Sequence, residues 1–242
     1  MRPRDIEGPP VVPWPTWYAE TAATWEQGQH RLFVGPTQSG KTTLARLHAR
    51  LRNYVVVFGT KPVDPSLDAY IAEGYTRVKT WPPPRKALQP DRNGDVRLIL
   101  WPKIKTRAEL RGHRATYAAC MDHVFISGRW TIVADEGLWL SSRSGLNLGA
   151  ELGDIAYGSA SNKVTLLLLL QRPAGVPRVA WSSVSDACLF HLGVTADVRE
   201  LASLGTVDPA DAKRAVQRLR GRQFLYLPCR GGREWSVSEA VL

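Results

Sequence analysis

Cysteine is scarce in this 242-residue chain. Cys120, Cys188 and Cys229 lie too far apart to pair as metal ligands, and an odd number of them argues against a disulfide framework, so a reducing cytosol is the expected setting. Long apolar runs are also missing. The longest spans residues 164–170 and includes Thr165, well short of the roughly 20 residues a membrane helix needs, so no spanning segment is expected. Met1-Arg2-Pro3-Arg4-Asp5 leads into prolines instead of the apolar stretch of a secretory leader. Acidic residues are outnumbered, 22 against 32 Lys and Arg, leaving a formal charge of +10. Such an excess suits a polyanionic partner (DNA, RNA or an acidic membrane surface), with a solvated basic surface as the lesser alternative. A 44% hydrophobic content is ample for a packed core. There is no internal repeat and no sign of a second domain.

What is present is an alternation of strand and helix signals. Residues 1–29 read as an N-terminal extended arm with a short helix near 17–26, and residues 30–242 as one α/β domain. Strands are expected at 31–34, 54–58, 76–81, 95–101, 130–134, 164–170, 187–192 and 224–227. Helices are expected at 41–52, 66–73, 106–124, 145–160, 197–204 and 209–219. This is the βαβ rhythm of a mostly parallel central sheet with helices on both faces. The run 164–170 lacks alternation, as expected of a central strand covered on both sides.

Gly35-Pro36-Thr37-Gln38-Ser39-Gly40-Lys41-Thr42 matches the Walker A pattern in full, between a strand and a helix. The glycines let the backbone curl so that N–H groups face phosphate oxygens, and the helix N-terminus adds its positive dipole end. Lys41 is expected to bring a full charge to the β- and γ-phosphates of ATP, and Thr42 a hydroxyl to Mg2+. Ser39 and Thr43 are further candidates for phosphate contact. The strand 130–134 ends in Asp135-Glu136, a Walker B arrangement in which Asp135 holds magnesium while Glu136 acts as general base or water positioner. Gln171, at the tip of the strand 164–170, is a candidate sensor of the γ-phosphate. A strand between the two Walker strands, with a glutamate beside the Walker B aspartate, points to the RecA-like branch of P-loop NTPases, usually motors; a P-loop kinase would need an acceptor-binding lid, and the adjacent Asp135-Glu136 with Gln171 argue against it.

On these residues, with Leu170-Gln171-Arg172-Pro173, the segment 187–192, and Asp197 with Leu201, the sequence resembles the FtsK/HerA superfamily over roughly residues 30–205. Within it, the small chain is most similar to the genome-packaging ATPases of tailless viruses with an internal membrane. The resemblance implies an ATP- and Mg2+-dependent motor acting on double-stranded DNA. It also implies a ring homo-oligomer, hexamer or pentamer, working in the host cytoplasm at a viral capsid or portal vertex. A conjugation or plasmid-mobilisation motor would share every motif. So would an assembly ATPase resembling zonula occludens toxin proteins, which usually carry a membrane helix. Relatives carry an arginine finger just before the sensor strand, where this chain has Gly158-Ser159-Ala160-Ser161-Asn162-Lys163; Lys163, Arg143 and Arg172 are the candidate substitutes.

Two basic clusters are candidates for DNA. Arg107, Arg111 and Arg114 would fall on one stripe of the helix 106–124, with Lys103 and Lys105 upstream. Arg214 and Arg218, with Lys213, Arg220 and Arg222, lie on and after the last helix. A solvated face is the alternative for each. Trp17 or Trp25 is a candidate cover for the adenine.

Overall fold

The computed structural model describes residues 8–158, 161–230 and 233–240. The chain enters at the edge of a sheet. Val12 N donates to Val237 O at 2.8 Å and Val237 N to Pro10 O at 2.9 Å, pinning the N-terminal segment to the last strand. Helix α1 (Trp14–Thr24) begins earlier than the expected residue 17, because a proline in the first turn has its φ already set and gives up an N–H that would have no helical partner. Its Trp17 and Thr21 are buried, so this part of the expected arm packs into the body of the domain.

The strands are β1 (Arg31–Val34), β2 (Tyr54–Phe58), β3 (Thr76–Val78), β4 (Val96–Leu100), β5 (Thr131–Ala134), β6 (Thr165–Leu170), β7 (Asp186–Leu189), β8 (Gln223–Pro228) and β9 (Ser236–Glu239). They form one sheet in the order β3-β4-β2-β5-β6-β1-β7-β8-β9. Pairing is parallel from β3 through β7 and antiparallel at β7-β8 and β8-β9. All six residues of β6 are buried, so helices cover both faces at the sheet centre. β6 lies between β5 and β1, with Leu170 in register with Val34 and Leu168 with Ala134. The carboxyl ends of β1, β5 and β6 therefore share one edge, where open α/β sheets place their ligands.

Helices α2 (Lys41–Ala49), α3 (Pro65–Ala72), α8 (Thr195–Ala202) and α9 (Pro209–Arg218) occupy expected positions. Asp64 and Asp208 cap α3 and α9 by accepting backbone N–H bonds.

Three readings need correction. The helix expected at 106–124 is two, α4 (Arg107–Gly112) and α5 (Arg114–Ser127), because Gly112 weakens the helix and His113 leaves it to cap the second. Arg114 therefore does not continue a stripe with Arg107 and Arg111. The helix expected at 145–160 is shorter: α6 (Gly137–Ser141) directly follows β5, and α7 (Gly149–Gly158) starts after a turn. The edge strand β9 was not anticipated, since Ser236-Val237-Ser238-Glu239 has too few apolar residues to read as a strand alone.

Candidate active site

β1 ends at Val34, and Gly35 N donates to Leu170 O at 3.1 Å, tying the start of the loop to the tip of β6. A Cβ at Gly35 would stand 2.6 Å from Phe190 Cβ, so no larger residue fits there. The loop then turns with positive φ at Gln38 (65°) and Gly40 (105°) and delivers the N-terminus of α2. Lys41 Nζ donates to Pro36 O at 2.7 Å, folding its ammonium back across the loop. The Ser39 hydroxyl is buried without a hydrogen-bond partner among the described residues.

Thr42 Oγ1 donates to Asp135 Oδ2 at 3.2 Å, joining the helix side of the site to the end of β5. Glu136 follows with φ 62° and ψ 50°, a left-handed conformation that few side chains adopt and that clusters at functional sites. Gly137 allows this close turn, since a Cβ there would lie 2.5 Å from Leu170 Cδ2. A cavity of about 250 Å³ opens between these segments, lined among others by Lys41, Thr42, Asp135, Glu136 and Gln171. Thr37 and Gln38 form part of its wall; Pro36 and Thr43 do not.

Burial shapes the charges. It pushes Asp135 above the usual carboxylate range, helped by neighbouring Glu136 and opposed by Lys61. Burial also lowers Lys41, although Asp135 and Glu136 pull it back up. The donor set fits a magnesium nucleotide. An orphaned buried hydroxyl at Ser39, a buried ammonium at Lys41 and a hydroxyl facing a carboxylate across 3.2 Å are groups that phosphate oxygens and a hard cation would satisfy.

Sequence reasoning missed Lys61. It follows β2, and its Nζ lies 2.9 Å from Glu136 Oε1 and 3.9 Å from Asp64 Oδ2. Burial alone would lower its pKa, but the hydrogen bond and charge of Glu136 outweigh this and hold it above its ordinary value. The available signal was a cation three residues beyond an apolar parallel strand, at the carboxyl edge.

The candidate trans-acting cations do not line this cavity. Arg172 is held by Asp197, with Nε 2.7 Å from Oδ2. Arg143 is exposed beyond α6. Lys163 is exposed, with φ 54°, just before β6, and so lies at the opposite, amino edge of the sheet. Ser159 and Ala160 of that segment lie outside the described residues. Among the basic clusters, Arg111 Nε donates to Ser144 O at 3.1 Å, Arg114 pairs with Glu151, and Arg214 pairs with Asp211. Arg218 is exposed and free of ion pairs among the described residues, while Arg107 is described by its backbone alone. Trp17 and Trp25 cannot cover an adenine. Both are buried, and their rings lie 5.8 and 4.9 Å from the guanidinium of Arg31, which opens β1 at the far edge.

Solved structures share this architecture. B204, the DNA-packaging ATPase from Sulfolobus turreted icosahedral virus, matches with a TM-score of 0.62 at 13% identity, over 90% of this chain and 100% of its own. The genome packaging NTPase B204 from Sulfolobus turreted icosahedral virus 2, in complex with ATP-gammaS, gives 0.55 at 13% identity, over 88% and 98%. VirB4 of Thermoanaerobacter pseudethanolicus gives 0.62 at 9% identity, over 88% and 89%. No protein family profile matches the sequence, and no curated protein sequence matches it significantly. At these identities the likeness is one of fold: the chain has the mostly parallel, RecA-like α/β fold that these structures share. No helix among the described residues is long and apolar enough to cross a membrane.

Proposed function

We propose that the chain is a magnesium-dependent ATPase that moves double-stranded DNA, and that its task is packaging a viral genome. The observation that carries the ATPase reading is the meeting of Thr42 and Asp135 across 3.2 Å, beside Lys41 and Glu136, at the carboxyl edge of the sheet. Magnesium-bound ATP would supply a γ-phosphate activated for attack by water. Thr42 and Asp135 would hold the metal, Lys41 would offset phosphate charge, and the Ser39 hydroxyl would donate to a phosphate oxygen. Glu136, once released by Lys61, would take a proton from the attacking water, and Gln171, which lines the same cavity, would orient that water.

The DNA reading draws on the +10 charge and on where the cations fall. Lys103, Lys105 and the helix α4 with Arg107 and Arg111 follow the carboxyl end of β4, the edge that holds the site. Packaging is favoured because a DNA-packaging ATPase of nearly the same extent matches over its whole chain. Work as a ring of identical subunits, in the host cytoplasm at a capsid or portal vertex, belongs to the same reading. A conjugation motor is the second reading, supported by a match to the pCW3 conjugation coupling protein TcpA, with a TM-score of 0.54 at 12% identity.

The test is steady-state ATP hydrolysis with and without magnesium and double-stranded DNA over a salt series. Magnesium-dependent turnover that rises with DNA, and DNA binding that weakens steeply with salt, are expected. Turnover indifferent to DNA at low salt would remove the motor reading, and no hydrolysis under any condition would remove the ATPase.

A further inference from the structure

Helices α5 and α7 leave a groove of about 510 Å³ between them on the flank of the domain. Its floor is apolar, with Met121, Phe125 and Ile155, and its rim carries Asp122, Glu151 and Asp154. Arg114 neutralises Glu151, but Asp122 and Asp154 make no ion pair among the described residues. Ile126, one helical turn from Asp122 on the same stripe, is 80% exposed, and Tyr157 at the groove is 61% exposed. An apolar floor with an anionic rim, in a chain of net charge +10, does not suit nucleic acid, whose phosphates the rim would repel.

The complementary surface exists on the same chain. Arg218, Arg220 and Arg222 are exposed around the turn between α9 and β8 and make no ion pair among the described residues. Beside them, Leu219 is buried. The turn stands next to the phosphate loop: the Arg222 side chain lies 3.9 Å from where a Cβ on Gly40 would be. Because β8 runs antiparallel to β7, this turn is at the carboxyl edge. α5 and α7 lead toward the starts of β5 and β6, so the groove runs toward the amino edge. Two complementary surfaces at opposite ends of one molecule cannot meet within it, but they can meet head to tail between copies, and such heterologous contacts form a ring where the rotation between copies closes and a filament where it does not.

We infer that the α5–α7 groove is the docking site for the Arg218–Arg222 turn of a second copy of this chain. The inference rests on the reading of the chain as an assembling ATPase, and it assigns this basic turn to a neighbouring subunit, leaving the segment 103–111 for DNA. It also sets each phosphate loop beside the flank of the next subunit, so that nucleotide binding and assembly are linked.

The test uses the full chain in three forms. One carries Asp122→Arg with Asp154→Arg, one carries Arg218→Glu with Arg220→Glu, and one carries all four changes. All four residues are exposed, and matching thermal melts with the parent will show that the fold is kept. Sedimentation velocity with magnesium and a non-hydrolysable ATP analogue reads self-association without requiring hydrolysis. Each paired reversal should weaken self-association by about thirtyfold or more, and the four-change chain should recover most of it, because the charges are exchanged and not lost. Unchanged association in the paired variants overturns the interface, as does a well-folded four-change chain that fails to recover. A parent that stays monomeric with the analogue and with DNA also overturns it. Groove variants that assemble normally but bind DNA differently would assign the groove to DNA instead. Hydrolysis by the parent, measured separately, decides whether the ATPase reading survives.

Discussion

Lys61 Nζ sits 2.9 Å from Glu136 Oε1, and the Lys61 backbone carbonyl accepts a bond from Trp101 Nε1 at 2.7 Å. The cation that engages the candidate base is thus fastened to the residue after β4, two positions before Lys103 in the basic segment 103–111. In this arrangement the Glu136 carboxylate is occupied by an ammonium and is not free to take a proton. A half-exposed pair of this kind contributes about 1 kcal/mol or less, about a fivefold effect at most. Lys61→Met should therefore raise hydrolysis in the absence of DNA by a few-fold and shrink the stimulation that DNA gives. Steady-state rates with and without DNA will show it. A variant as inactive as one lacking Glu136 would mean that Lys61 holds the base in its working position.

The two neighbouring carboxylates should fail differently. Glu136→Gln keeps size and polarity but removes the proton acceptor, so magnesium-dependent nucleotide binding should persist while turnover falls by about 10² to 10⁴. Asp135→Asn loses the charge opposite Thr42, so binding and turnover should weaken together, and Lys41→Ala should follow that second pattern. Equilibrium binding of a fluorescent ATP analogue, with and without magnesium, beside hydrolysis rates separates the two. Near-parent turnover by Glu136→Gln would move the base elsewhere, with Asp64 at the cavity wall as the next residue to change.

The phosphate loop is legible in the sequence because it is local: consecutive residues between one strand and one helix carry the whole geometry. Asp135 and Glu136 are nearly as local, at the end of an apolar strand. Lys61 is not, because its place beside Glu136 depends on β2 pairing with β5, a contact between segments more than seventy residues apart. The sheet order had one strong local clue, the unbroken apolar run of β6, whose burial on both faces puts it in the middle. β9 had none, since a short polar strand is stabilised only by the neighbour it pairs with. The break between α4 and α5 was written in Gly112, but apolar spacing on both sides suggested one continuous helix.

Two buried histidines set an acid limit on stability. Burial, with a contribution from Arg230, lowers His30 from its ordinary 6.5 to about 4 while its Nδ1 accepts a bond from Leu166 N, and burial beside Arg31 pushes His48 well below its usual value. The unfolded chain binds these protons near pH 6.5, whereas the folded chain resists binding until about pH 4 at His30. Stability is therefore intact above the unfolded value and falls as pH drops from there toward 4, by up to about 3 kcal/mol from His30 alone. Urea midpoints at pH 7.5 and 5.0 should differ in that direction. His30→Asn, which keeps an acceptor for Leu166, should narrow the difference; an equal loss in both chains would remove His30 from the account.

The guanidinium of Arg31 and the carboxylate of Asp186 face each other in register on β1 and β7, with Nη2 2.8 Å from Oδ2 and a second contact through Nε. Both side chains are almost fully buried, and the rings of Trp17, Trp25 and Tyr226 surround the cation at 4.9 to 5.8 Å. Desolvating two ions costs roughly what their attraction returns, so the pair adds little net stability, yet removing one partner strands a buried charge. Asp186→Ala should cost about 3 to 5 kcal/mol, whereas Arg31→Met with Asp186→Leu should lie much closer to the parent. Arg31 opens the strand that ends at the phosphate loop, at the far edge from the nucleotide. The double variant should therefore bind nucleotide with parent affinity even if its melting temperature shifts. Denaturant midpoints for the two singles and the double, with nucleotide titrations of the double, complete the cycle. A loss below about 1 kcal/mol in Asp186→Ala would show that the site admits water and that the charge is not buried in solution.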